Sequence, residues 1–180
     1  MIAVSEFLTL LQALFAIIVL IISIVLIHGY GPGHDPSLIN YGAFCGAGGL
    51  LFAAIGVGAL FFEAIQGIVI LALDGIASFF LLAGGLAFAI KVKVGDCGDS
   101  SDFGYLSEHI NIFAPNPDKY LDDYVNNQKK FVREYTDDTI SRCRMVQANT
   151  ALIWFMFGCF VVTLVLSFTN KTTKRGGAMV

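Results

Sequence analysis

Residues 7–27 read FLTLLQALFAIIVLIISIVLI, an apolar run interrupted only by Thr9, Gln12 and Ser23. A helix needs about 20 such residues to cross the ~30 Å hydrocarbon layer of a bilayer. The run is too long for the core of a signal peptide and has no basic leader. HGYGPGHDP follows it where a small-residue cleavage site would stand, so it is expected to be a retained span. Working outward, three more stretches meet the same length: 41–62, 67–90 and 148–168. Backbone polar groups in lipid must be satisfied within their own segment, which predicts four helices rather than strands. The expected fold class is therefore an all-α membrane protein, a four-helix transmembrane bundle forming one domain over 1–180.

Composition points the same way. The chain has 180 residues, of which 56% are hydrophobic and only 14% charged. A soluble domain of this size carries about a quarter charged residues. The net charge of -3 excludes the basic balance of a nucleic-acid binder. His28, His34 and His109 have no metal-ligand spacing, and no nucleophile elbow, phosphate loop or CxxC is present. No enzymatic activity, no metal and no cofactor are expected.

The connections are unequal. Residues 28–40 form a short Gly/Pro-rich link, and FFEAIQG (61–67) predicts a tight turn between spans two and three. Residues 91–147 form a long loop holding most of the charge, and 169–180 a short basic tail. Lys171, Lys174 and Arg175 argue for a cytoplasmic C-terminus and hence a cytoplasmic N-terminus. Lys91, Lys93, Arg142 and Arg144 at the edges of the long loop pull against that orientation. Cys97 and Cys143 stand just beyond the flanking spans, where a disulfide would staple the loop base and place it outside the cytosol. Both termini are expected inside.

Four groups of residues are candidate sites. Gly42, Gly46, Gly49, Ala53 and Gly56 recur at intervals of 4, 3, 4 and 3, which puts five small side chains on one face of span two. Such a face serves either close packing within the bundle or lateral self-association. Asp74 and Ser78, with Asn149 on span four, are polar residues at membrane depth. Asp74 reads as a polar bolt between helices, as a lipid-headgroup contact, or as a proton-coupled transport site. Gln12, Tyr41, Gln147 and Asn149 are its candidate donors. Cys97 and Cys143 are the expected disulfide. Asn116 as N-cap and Pro117 at the first helical position predict a helix in the loop. That helix would carry Tyr120, Tyr124, Phe131 and Tyr135 as an aromatic stripe, either packed over the bundle or resting at the headgroup level.

Three stretches then carry a family resemblance: LALDGIASFFLLAGGLAFAI (71–90), CGDSSDFGYLSEHI (97–110) and SRCRMVQANTALIWF (141–155). The chain resembles MARVEL-domain membrane proteins, and more specifically the fungal non-classical export family, with a longer insert over 113–138. The resemblance implies a multi-pass plasma-membrane protein that organises eisosome-associated, sphingolipid-responsive microdomains without enzymatic activity. Its implied partners are membrane lipids, with a sphingolipid or sterol left open as a bound ligand, further copies of itself and other microdomain proteins. The rival classes are a small transporter or channel using Asp74 and a tetraspanin-like contact protein.

Overall fold

A computed structural model of the protein describes residues 2–31, 36–59, 68–98 and 104–176. Three long helices come first: α1 (Ile2–Tyr30), α2 (Ser37–Gly58) and α3 (Ile68–Val92). Two single turns follow, α4 (Tyr105–Glu108) and α5 (Ile110–Phe113). A 3-10 turn (Pro117–Tyr120) leads into α6 (Leu121–Asn126), and α7 (Gln128–Gly176) closes the chain. No strand occurs among the described residues. The turn over 61–67, with Glu63, lies outside the described residues, as do Asp99, Asp102, His34 and residues 177–180.

The helices end where backbone chemistry requires it. Pro36 precedes α2 with extended angles, as a proline with no N–H to lend to a helix tends to do. Gly31 closes α1 at φ 77°, in the left-handed region that costs glycine nothing. Lys93 closes α3 at φ 55° without that exemption.

Each long helix shows two apolar faces. In α1 the buried positions are Gln12, Ala16, Val19, Ser23, Leu26 and Tyr30, spaced alternately 4 and 3. The exposed positions Phe7, Leu10, Leu14, Ile17, Ile21 and Ile24 repeat the same rhythm on the other side. A soluble helix would be polar there, and a helix apolar all round belongs in lipid. The inner stripes interlock. Helix α1 lies between α2 and α7, while α3 packs mainly on α7 and more sparsely against α2. Phe88, Ile153, Met156 and Phe160 fill the centre at no more than 1% exposure.

The long connection departs from the expected loop. Residues 128–147 contain neither Pro nor Gly, so nothing stops the helix of span four from extending backward through them. Helix α7 is 49 residues long, about 74 Å at 1.5 Å per residue. A bilayer with its headgroups is about 40–45 Å thick, so much of α7 stands clear of it. The tail also continues as helix, to Gly176. The expected stripe helix is broken in two. Asn116 accepts from the Asp118 N–H at 3.0 Å, but it caps the 3-10 turn, and Asn127 at φ -156° separates α6 from α7.

Candidate membrane interface and polar core

The small face of α2 is occupied within the chain. A Cβ on Gly46 would lie 2.7 Å from the Leu20 backbone nitrogen, so α1 crosses α2 at backbone contact. A Cβ on Gly49 would lie 2.8 Å from Met156 Sδ, and one on Gly42 would lie 3.0 Å from Asn149 Nδ2, Phe88 Cζ and Ser23 Oγ. Ala53 is buried, and Gly56 faces Thr9. Small residues let helices approach closely, where dispersion and backbone contacts replace the hydrophobic drive that lipid lacks. Packing against α1, α3 and α7 occupies Gly42, Gly46 and Gly49, while Gly56 faces α1 and Ala53 is buried.

The polar residues form two separate layers. In one, Gln12 Nε2 donates to Thr163 Oγ1 at 3.1 Å, that hydroxyl donates to the Phe160 carbonyl at 2.9 Å, and the Asp74 carboxyl lies beside Thr163. This ties α1, α7 and α3 together. The Ser78 hydroxyl donates to the Asp74 carbonyl one turn back in its own helix, at 2.7 Å. In the other layer, Asn149 Nδ2 donates to Ser23 Oγ at 3.2 Å, with Asn149 fully buried. Fourteen residues of α7 separate Asn149 from Thr163, about 21 Å of rise, and Ile153, Met156 and Phe160 fill the interval.

Only Gln12 among the four candidate donors shares a cluster with Asp74. Tyr41 donates instead to the Phe80 carbonyl (3.3 Å), Gln147 to the Gly95 carbonyl (2.8 Å) and Asn149 to Ser23. Thr163 and Ser23 were missed as partners. Both sit in register with the buried stripes of their helices, and that register is the signal by which they could have been found. Asparagine keeps a hydrogen-bonding head, so Asp74→Asn should melt within about 1 kcal/mol of wild type in lipid nanodiscs. Thr163→Val breaks the shared contact and should cost about 1–2 kcal/mol. Collapse of the Asp74→Asn protein would show that the carboxylate itself is required.

A cap closes one end of the bundle. Cys97 and Cys143 are joined, with Cα atoms 5.8 Å apart, and both are buried. Tyr105 donates to the Val92 carbonyl at 2.6 Å, and Tyr30 donates to the Ile112 carbonyl. His109 packs its ring 4.7 Å from that of Tyr105, a structural placement. Arg142, in the distinctive RCR run, is 4% exposed and went unnoticed as a core residue. Its guanidinium lies 4.8 Å over the Tyr30 ring, with Nε 3.4 Å from Asp138 Oδ1. Asp138 also accepts from Tyr120 at 2.7 Å. Burial alone would raise its pKa, but the Tyr120 hydroxyl, Arg142 and Lys119 together hold the carboxyl below its usual value.

The four aromatics gather into one cluster across the α6–α7 break. Tyr124 and Phe131 lie 5.3 Å apart, Tyr120 and Tyr135 5.9 Å, and Phe131 and Tyr135 5.6 Å. They are not a stripe on one interfacial helix. Gln147 bonds to Gly95, just past the end of α3, which marks the membrane edge of α7. From there to Phe131 is 16 residues, about 24 Å of rise, beyond a headgroup layer of about 6 Å.

Between α2 and α3, where packing is sparse, a lipid-facing apolar groove of about 140 Å³ opens. Phe44, Phe52 and Phe80 wall it, with Gly48 and Ala77 among its lining. A Cβ on Gly48 would meet nothing nearer than Phe52 Cε2 at 4.0 Å, so that glycine is not needed for packing. Among the described residues, no group of three His, Cys, Asp or Glu side chains could hold a metal ion.

Four helices long and apolar enough to cross a bilayer, joined through buried small and polar faces, define an integral multi-pass membrane bundle. The family model of the MARVEL membrane-associating domain matches residues 3–166, and the chain belongs to that family. No curated protein and no solved structure matches the chain.

Proposed function

We propose that this MARVEL protein is of the fungal non-classical export type and organises plasma-membrane microdomains, eisosome-associated and sphingolipid-responsive, through lateral association and lipid contacts. It acts without catalysis, with both termini cytoplasmic and the disulfide-bonded cap outside. The observation that carries this reading is the groove between α2 and α3. It is open to the bilayer and walled by aromatic rings, and Gly48 in its lining meets no other helix. Such a wall suits a rigid sterol or an ordered sphingolipid chain, because an immobilised ring or chain then loses little further freedom on binding. The separation of the two polar layers by packed apolar side chains supports a dry scaffold over a transport path.

A Cβ at Gly48 meets only Phe52 of its own helix, so Gly48→Leu sends its side chain into the groove without displacing backbone. The variant should insert, accumulate and melt as wild type does, yet lose its enrichment in membrane clusters and its crosslinking to photoactivatable sterol or sphingolipid. A groove-filled protein that still clusters and crosslinks normally would remove the lipid arm of the proposal.

A further inference from the structure

The bundle does not complete the surroundings of Asp74. The residue is 9% exposed, yet the polar side chains around it direct their hydrogen bonds elsewhere. Thr163 lies beside the carboxyl but gives its single proton to the Phe160 carbonyl at 2.9 Å. Gln12 Nε2 donates to Thr163, and the Ser78 hydroxyl donates to the backbone carbonyl of Asp74. A carboxyl offers several acceptor positions, and leaving them without donors at such burial costs free energy. Asp74 is an acceptor that lacks a donor.

Depth and neighbours define what can supply one. Asp74 lies 18 residues before Val92, the end of α3 beside the cap, which is about 27 Å of rise. Against a hydrocarbon layer of ~30 Å, that places it just inside the opposite edge. Ala77 and Leu81 follow it at intervals of 3 and 4 on the same face of α3, and both line the α2–α3 groove. On the cap side of the groove the two helices touch, since a Cβ on Gly84 would lie 2.7 Å from Cys45 Sγ. Further from the cap, a Cβ on Gly48, Gly56 or Gly58 would meet no atom of α3 within 4 Å, so that close approach is not repeated at these positions.

We propose that Asp74 accepts the hydroxyl of a sterol in the leaflet opposite the cap, with the fused rings of that sterol in the α2–α3 groove. The groove begins one turn deeper than the carboxyl, and the rings of a sterol begin at the carbon that bears its hydroxyl. The hydroxyl supplies the missing donor, while the rings meet the aromatic walls of Phe44, Phe52 and Phe80. Near-burial of Asp74 admits only a small head. A phosphate head would also set an anion against an acidic side chain. The inference rests on the lipid arm of the proposed function and adds its polar end and its leaflet.

The test uses the full chain in nanodiscs with a sterol that carries a diazirine on its ring system. Photolabelling should map to residues 44–52 and 77–81. Asp74→Leu should lower it about tenfold, the loss expected for a hydrogen bond to an acidic group. Asp74→Asn keeps a carbonyl acceptor and should stay within about twofold of wild type. On the unaltered protein, the ketone form of the sterol has no donor and should compete about tenfold more weakly than the sterol itself. That comparison requires no variant to fold. Undiminished labelling of Asp74→Leu, or equal competition by the ketone, would overturn the anchor, and the groove reading survives this if Gly48→Leu still abolishes labelling. Labelling that persists in both leucine variants would overturn both. Displacement of the probe by a long-chain amine at lower concentration than by the sterol would make the occupant a cationic lipid and overturn the sterol.

Discussion

Gly46→Leu should lower the melting temperature of the full chain in nanodiscs sharply and reduce its level in cells, while Gly48→Leu, two positions on, leaves both unchanged. A Cβ at Gly46 falls 2.7 Å from Leu20 N and 2.8 Å from Leu20 Cα. Backbone of α1 cannot rotate aside as the end of a flexible side chain can, so the two helices must separate along their contact. Overpacking a core costs about 1–3 kcal/mol, and occasionally more. The upper end is expected here, because the bulk enters against the backbone of α1. Even Gly46→Ala carries the offending atom and should fall between the two. Insertion should survive, since leucine favours the bilayer. Wild-type melting by Gly46→Leu would mean that α1 and α2 do not cross at this point.

Removing the cap disulfide should have the next largest effect. The sequence separation between Cys97 and Cys143 is 46 residues, and closing a loop of that size is worth about 4 kcal/mol in the chain-entropy account. Cys97→Ser with Cys143→Ser should free residues 98–142 to limited proteolysis and lower the melting temperature, with the spans still inserted. The bond also holds Gln147 beside Gly95 and Tyr105 beside Val92, so the loss should concentrate at this end of the bundle. A thiol count provides an independent check. In denatured, unreduced wild type, maleimide should label only Cys45 and Cys159, the free cysteines. Labelling of all four without reductant, or a serine pair that melts with wild type, would show that the staple contributes nothing.

Much of this protein can be read along the chain. The four spans follow from run length against bilayer thickness, a comparison that requires no knowledge of neighbours. The small face of span two follows from the helical period alone, because side-chain direction repeats with that period whatever lies opposite. The pairing of Cys97 with Cys143 was legible because both cysteines flank spans that a bundle brings together.

Other features depend on the opposing surface. Which partner the glycines meet was undecided until α1 was seen crossing at Leu20. Asp74 had four candidate donors, and it lies instead beside Thr163, 89 positions away in sequence and adjacent only once α3 packs on α7. Arg142 reads as a membrane-edge cation, yet it is buried, because Tyr30 and Asp138 cover it on two sides.

The aromatic residues of the long connection show the same division. Their helical spacing is a property of the chain, and it correctly marks residues that belong together. Whether they lie along one helix at the headgroups or fold against each other above them depends on the break at Asn127 and on how far α7 continues into water. Local periodicity specifies which side chains share a face. Packing between helices decides which face is covered, and by what, because that choice turns on steric fit and hydrogen-bond partners contributed by distant segments.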